Sequence, residues 1–507
     1  MIIWAVCICG SIVALGASGA KASYALIEVA QLTALSGVTD VAVGSLVPDG
    51  SLQRVAVVQD GRVLLHRLSP DGLEADVELE GFKYPAVSVA FADFDGDGQD
   101  DLWIGSAGPG IVYVYSLSEG YSILAQTDRY MWSPAVKLIT ADLDGDGLAD
   151  VVALSEAGTA FAFLNGDSEL SQVWRSGSRE GHVRYLLACD LCGDGKDDVI
   201  VAREQGYISM WRWTTQLTDM VPPNPLEYGT GLVDISHLSV ARREETQKES
   251  RPSGQFEMQW EEYPWGEIRF LDVFDVDQDG ARELVIVTSQ NLLYAYGCIP
   301  DGDMMLKASG VLQTSHDMRC ALQPRQPTEP SVVLGVQDGA LSVWQPRAAD
   351  ADWAFDVMWQ SDFDVDFTQA VQAGKYLVLQ SEEEIRVLER VPADYLKMVS
   401  GGKPYDDLRA KPVLVRGDIL LSVGDWADLL GFSFSWRQSQ RQITILWGMQ
   451  YLVATVGGRA VVVNGRQATL SQEPQYRDGL VYLPAQLVRL LTPEVSWDPK
   501  SRFLSIR

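Results

Sequence analysis

The chain has 507 residues, 47% of them apolar, and a formal net charge of −29. That much apolar material supports two or more domains with large cores and excludes a disordered chain. The negative charge argues against nucleic acid as a partner.

The N-terminus opens on an apolar run from Met1 to Leu15, followed by small residues and Ala20-Lys21-Ala22. Residues 1–22 read as a signal peptide, although the usual basic start is missing. A short uncut membrane anchor is the alternative, and no second span follows. Cleavage would remove Cys7 and Cys9 and leave Cys189, Cys192, Cys298 and Cys320. In an oxidising compartment, Cys298 and Cys320 are candidates for a disulfide. Cys189-Asp-Leu-Cys192 has redox-pair spacing but no helix signal after it. The expectation there is a buried Cys189 and an altered ligand position at Cys192.

From about residue 30 one unit recurs. Strand–turn–strand patterns start at 54, 101, 150, 198, 283, 331 and 375, so the intervals are 47, 49, 48, 85, 48 and 44. Short apolar runs split by Gly, Asn, Asp or Glu are hairpin signals. Asp150-Val-Val-Ala-Leu154 followed by Ala160-Phe-Ala-Phe163 is one example. Repeats near this length, each with several short strands, read as propeller blades. Further strand signals at Gln172–Trp174, Met258–Trp260 and Val357–Trp359 bring each blade to four strands. Repeat faces are buried only between neighbours, so residues 30–391 form one seven-bladed β-propeller in a mainly β chain. The long interval holds an insertion over 214–262 with a polar middle, Ala241–Gly254. It reads as a surface excursion, with a binding lid as the sharper alternative.

Four units are entered through an acidic loop. Asp93-Phe-Asp95-Gly-Asp97-Gly98-Gln99-Asp-Asp101, Asp142-Leu-Asp144-Gly-Asp146-Gly147-Leu148-Ala-Asp150 and Asp275-Val-Asp277-Gln-Asp279-Gly280-Ala281-Arg-Glu283 place carboxylates at positions 1, 3, 5 and 9. Asp190-Leu-Cys192-Gly-Asp194-Gly195-Lys196-Asp-Asp198 keeps the pattern with Cys at position 3. Such carboxylates meet only if the chain curls tightly, and Gly at position 6 accepts the angles this needs. A hard cation with oxygen ligands, Ca2+ above all, explains so much like charge in one place. An EF-hand is excluded, because it needs flanking helices and Glu at position 12. Position 12 here is Ile104, Ala153 and Ile286, and strands follow.

After Pro392 the period stops, and Ser400-Gly-Gly-Lys-Pro404 marks a linker over 392–410. Residues 411–507 repeat themselves at an offset of 61. Arg416-Gly-Asp-Ile-Leu-Leu-Ser-Val423 aligns with Arg477-Asp-Gly-Leu-Val-Tyr-Leu-Pro484, Phe434-Ser-Trp436 with Val495-Ser-Trp497, and Ile443-Thr-Ile445 with Leu504-Ser-Ile506. Each copy reads strand, short helix, strand, turn, strand. Trp426, Leu429 and Leu430, and likewise Leu487, Val488, Leu490 and Leu491, fall on helical spacing. Pro484 suits a helix's first turn. This is a small α+β domain built by duplication. Arg416-Gly-Asp418 invites an integrin-binding reading, but its alignment with Arg477-Asp-Gly479 makes it a hairpin turn.

On these residues two families are recognisable. The acidic loops and their hairpins resemble FG-GAP/VCBS repeats, the blades of integrin-α-like seven-bladed propellers, over most of 30–391. The resemblance implies about three Ca2+ sites. The first is Asp93, Asp95, Asp97 and Asp101 with the Gln99 main-chain carbonyl. The second is Asp142, Asp144, Asp146, Leu148 and Asp150, and the third is Asp275, Asp277, Asp279, Ala281 and Glu283. Cys192 departs from the pattern, so Asp190, Asp194, Lys196 and Asp198 make a weak or absent fourth. The tail resembles the copper amine oxidase N-terminal-like domain through its two Trp turns, Val463-Asn-Gly465 and Val481-Tyr-Leu-Pro484. Ser422-Val423 and Thr492-Pro493 depart from it locally. That resemblance implies a bacterial secreted or cell-surface protein, of Gram-positive type. It does not bring copper: the four His are His66, His182, His237 and His316, none in the tail, so a three-His site there is excluded.

No nucleophile motif, phosphate loop or His cluster stands out. The expectation is a non-enzyme, exported and Ca2+-stapled, that adheres to or binds cell-envelope polysaccharide or a surface protein. A propeller hydrolase or lyase acting on polysaccharide, built from scattered loop residues, is the enzyme alternative. A scaffold in a surface assembly is the third reading. Exposed aromatics beside paired carboxylates at the channel mouth would favour the enzyme, and a smooth apolar face the scaffold.

Overall fold

Strands dominate because the apolar runs are short, rich in Val, Ile and aromatic residues, and cut every few residues by turn formers. The computed structural model describes residues 24–506 apart from 34, 46–52, 70–71, 81, 119, 167, 178–180, 216–253, 278, 300–302, 313–316, 323, 325–330, 350–351, 374, 382, 393–395, 402, 406 and 416–417. The result is a mainly β molecule with many four-stranded sheets, antiparallel as in a propeller over residues 24–392. Among the described residues, seven such sheets lie between Tyr24 and Pro392.

Their first strands are Val38–Ser45, Ala86–Ala92, Ala135–Ala141, Val183–Cys189, Ile268–Phe274, Asp317–Leu322 and Gln369–Ala373. Each touches the next in this order, and the seventh touches the first. The second strands are the most buried: Asp101–Ser106, Asp198–Arg203 and Glu283–Thr288 are buried at every residue. Both their faces are covered by neighbouring sheets, as where Trp103 and Phe94 share a core with Val151 and Phe163 of the following sheet. Burial on two faces explains why these strands read as continuous apolar runs rather than alternating ones.

Neighbouring first strands belong to different sheets, and side chains bridge the gap between them. Asp40 accepts from the Val89 amide at 2.9 Å, Ser88 donates to the Ala135 carbonyl, and Tyr185 donates to the Ile268 carbonyl at 3.3 Å. Asp272 accepts from the Ala321 amide at 2.7 Å, Arg319 donates to Phe367 O at 3.2 Å, and Gln369 donates to Val41 O at 3.2 Å.

Several features differ from the sequence expectation. The strand Tyr24–Leu32 starts before residue 30 and pairs with Ile385–Pro392, completing the seventh sheet from the other end of the array. Periodicity is a local signal and does not register such a pairing. The ends of the expected 214–262 insertion belong to the fourth sheet, as Ile208–Thr215 and Gly254–Glu262. The rest of it, with His237, lies outside the described residues, as do the signal segment with Cys7 and Cys9, and His316. Within the expected linker, Lys397–Ser400 runs parallel to Phe503–Ile506 and buries Met398 in the tail core. Cys298 pairs with Cys192, not with Cys320. The acidic loop holding Cys192 and the third strand of the next sheet bring their Cα atoms to 5.1 Å, while Cys320 sits on a first strand with a free thiol.

In the tail the two copies fold alike. One has Asp418–Ser422, helix Val423–Leu430, Ser433–Arg437 and Gln442–Trp447; the other has Leu480–Pro484, helix Ala485–Arg489, Val495–Asp498 and Phe503–Ile506. Ser422, where the family pattern fails, caps the first helix by accepting from the Asp425 amide. Trp426 is fully buried and donates to Leu483 O at 2.9 Å, which ties one copy to the other. Asp418 is buried and accepts from the Ile419 and Gln486 amides, so it is not available to an external integrin. Among the described residues, no helix is long and apolar enough to cross a membrane.

Burial pushes the Asp40 carboxyl up to about 6, against two backbone hydrogen bonds that pull it down. The folded chain holds this proton more tightly than the unfolded one. The stability it contributes is therefore complete below about pH 4 and lost as pH rises through about 6. Urea unfolding should show wild type losing roughly 3 kcal/mol relative to Asp40→Asn between about pH 4 and pH 7. Parallel pH profiles for the two proteins would contradict this.

Candidate metal centres

Each acidic loop joins the first strand of a sheet to the second. Position 1 organises the turn. Asp93 accepts from the amides of Gly96 and Gly98 at 2.8 Å, and Asp142 from those of Gly145 at 2.8 Å and Gly147 at 3.0 Å. Gly98 and Gly147 have φ of +85° and +86°, where a side chain would be strained. Asp190 and Asp275 accept in the same way from Gly195 and Gly280, both at 2.9 Å. Position 5 takes the amide of position 7: Gln99 donates to Asp97, Leu148 to Asp146, Lys196 to Asp194 and Ala281 to Asp279. The amide nitrogens of these four residues thus shape the turn. Position 9 turns back to the amide of position 2, with Asp101 on Phe94, Asp150 on Leu143 and Glu283 on Val276.

Three groups of carboxylates converge, with oxygens within 4.8 Å of one another: Asp93, Asp95 and Asp101; Asp142, Asp144 and Asp146; Asp275, Asp277 and Asp279. Asp97, Asp150 and Glu283 fall outside these groups. Asp97 is held by the Gln99 side-chain amide at 3.1 Å. Two charges about 5 Å apart repel by roughly 3 kcal/mol at an effective dielectric near 20. A turn hydrogen bond returns only about 1 kcal/mol. Each loop therefore calls for a cation or a proton.

The loops answer that demand in two ways. In the third, Lys307 Nζ sits 2.9 Å from Asp279 and 2.7 Å from the fully buried Glu283. Burial works against the ammonium, but hydrogen bonds to the two carboxylates outweigh it and raise its pKa. In the fourth, Arg212 grips the buried Asp198 through two bonds, of 2.7 and 2.9 Å, and reaches Asp194 at 3.6 Å. Cys192 is tied up in its disulfide. In the first and second loops, no lysine or arginine among the described residues pairs with Asp93, Asp101, Asp142 or Asp150. Lys196 lays its stem along Gly145 without pairing with Asp142 or Asp150. Burial first, then neighbouring carboxylates, push Asp101 up to about 7 and Asp150 up to about 8. The residues of these two loops fit a hard dication. Those of the other two already hold a protein cation.

Position 8 has a role that the ligand pattern did not signal. Asp197 donates its amide to Asp142 O at 2.7 Å and accepts from the Asp142 amide at 2.8 Å. Asp100 does the same with Ser45, at 3.0 and 2.6 Å. Ala149 donates to Asp93 O, and Arg282 to Asp190 O. Each loop is thus fastened to the main chain of the preceding sheet. The recurring Asp-Asp at 100–101 and 197–198 was the sequence signal for it.

Residues 142–201 match the model of an FG-GAP-like repeat, and residues 399–506 match that of the copper amine oxidase N-terminal domain, a non-catalytic domain. Among curated proteins, none matches this chain. Its structural neighbours are β-propeller proteins. One is a crystal structure of BBS1N in complex with ARL6DN, soaked with lead, at 10% identity and a TM-score of 0.43, covering 73% of this chain and 97% of that one. Another is a crystal structure of the mitotic checkpoint complex, at 11% identity and a TM-score of 0.45, covering 72% of this chain and 92% of that one.

Two substitutions separate the cation bonds of the loops from the bonds between sheets. Lys307→Met should cost up to about 3 kcal/mol in chelator, because it strands a buried carboxylate, and Ca2+ should recover the loss. Asp197→Ala should cost about 1–3 kcal/mol equally with Ca2+ and with chelator. Urea unfolding of both variants in each condition checks the pair.

Proposed function

We propose that this chain is an exported, non-catalytic ligand-binding protein of the cell envelope. Its body is a seven-bladed propeller stapled by Ca2+, and its duplicated tail acts as an attachment or spacing module. Seven four-stranded sheets whose first strands touch in a cycle support the propeller. The apolar start of the sequence and the Cys192–Cys298 pairing suit export to an oxidising compartment. The carrying observation is the contrast among the acidic loops. Those starting at Asp93 and Asp142 bring carboxylates together without pairing Asp101 or Asp150 to a protein cation, whereas Arg212 and Lys307 serve the others.

In the first two loops the carboxylates would hold Ca2+, which would supply the charge that lets the chain enter the buried second strands. At tenfold excess over Kd, each site contributes about 1.4 kcal/mol of stability. That size suits a staple. The three carboxylate groups found among the described residues all lie in the acidic loops.

Calorimetric titration of the metal-free chain should give two Ca2+ per molecule, and Ca2+ should raise the melting temperature. Asp142→Asn should remove one site, and Lys307→Met should add one. No binding at all would sink the staple reading, and three or four sites in wild type would sink the division of the loops.

A further inference from the structure

The four-stranded sheets have two unlike ends. The acidic loops lie at the end where first strands pass to second strands. The opposite end carries the turns between second and third strands and the connections from each sheet to the next. In one connection Tyr130 and Trp132 precede the strand Ala135–Ala141. The Trp132 side chain is 81% exposed. Its backbone sits at φ +60°, a conformation that bulky residues avoid. Bonds from the Trp132 amide to Pro109 O at 2.7 Å and from the Met131 amide to Gly110 O at 3.2 Å hold it there, and Met131 is buried beneath. The chain therefore spends backbone strain to keep an indole in water, as happens at functional positions.

Beside the indole is a cleft of about 450 Å³ lined by Tyr130, Trp132, Phe161, Arg129, Gln172 and Arg175. Tyr130 packs edge-on against Trp132 at 5.5 Å, and the Arg175 guanidinium lies over the Phe161 ring at 5.4 Å. Arg175 makes no ion pair among the described residues, in a chain of net charge −29. Asp128 is engaged by the Gln172 amide at 3.0 Å and lies 3.7 Å from Arg129. An aromatic face offers stacking to the C–H side of a sugar ring. A fixed guanidinium fork selects a carboxylate. We propose that this cleft binds an acidic polysaccharide, stacking a carboxylate-bearing sugar ring on Trp132 and pairing its charge with Arg175. The assignment rests on the binding reading above and gives it a ligand class. Trp265, 74% exposed, occupies the corresponding connection two sheets on. Its chain neighbours Glu261, Glu262 and Glu267 are acidic, and Glu267 pairs with Arg184.

The test titrates the full chain with oligogalacturonate and with hyaluronate oligosaccharides, against a neutral cello-oligosaccharide, by calorimetry and tryptophan fluorescence. At least one acidic probe should bind and the neutral one should not. Trp132→Ala and Arg175→Ala should each weaken binding by about tenfold or more, and Trp265→Ala should leave it unchanged. Failure of both acidic probes, equal binding of the neutral probe, or indifference to Trp132→Ala would overturn the proposal. The Ca2+-dependent melting shift, measured on the same variants, reports folding. If that shift is absent while acidic sugar still binds, the staple reading fails and this site stands; the reverse removes this site alone.

Discussion

Like charge held at close range is the constraint to which the rest of this molecule answers. Each acidic loop ends in the first residue of a largely buried strand, so the carboxylate at position 9 is carried out of water with the sheet core. Asp101, Asp150, Asp198 and Glu283 are all buried. Desolvation and mutual repulsion both oppose that arrangement. Backbone amides inside the turn offset part of the cost, and a cation or a proton has to offset the rest. Arg212 and Lys307 supply that cation from within the chain for two loops. Carboxylate oxygens converge within 4.8 Å in the other two and in the loop that Lys307 serves.

The same loops fasten neighbouring sheets. Adjacent first strands are bridged by side chains such as Asp40 and Asp272, and the loops add main-chain bonds such as those of Asp197 to Asp142. One end of the sheets carries the acidic loops and their main-chain bonds to the preceding sheet. The other end carries the exposed aromatics of the connecting segments, where a ligand can be met without disturbing the acidic loops. If the cleft beside Trp132 binds sugar as proposed, stability and recognition are separated in space.

Much of this was legible in the sequence. Hairpins at 101, 150, 198 and 283 announce themselves because a strand buried on both faces is an unbroken apolar run. The acidic loops do so because mutual repulsion keeps four carboxylates from crowding around one glycine by chance. The tail's duplication was readable because Trp436, Leu429 and Leu430 recur at a fixed offset as Trp497, Leu490 and Leu491. What stayed hidden is long-range or geometric. Nothing in Tyr24–Leu32 names Ile385–Pro392 as its partner. The Cys192–Cys298 pairing spans 106 residues and depends on how two sheets meet. Lys307 lies 24 residues beyond Glu283, too far along the chain for loop spacing to reveal it as the loop's own cation. Met398 reads as linker until the parallel strand that covers it is seen. The exposure of Trp132 is likewise invisible to composition, because most tryptophans in such a chain are buried.

The most direct test is crystallography of the full chain grown in Ca2+, with anomalous data collected at a wavelength where calcium scatters. Peaks inside the loops starting at Asp93 and Asp142, with Lys307 and Arg212 still seated in the other two, are the predicted result. Empty loops at Asp93 and Asp142, or a calcium peak in the third loop with Lys307 displaced, would contradict the division of the loops into two that take a dication and two that carry their own.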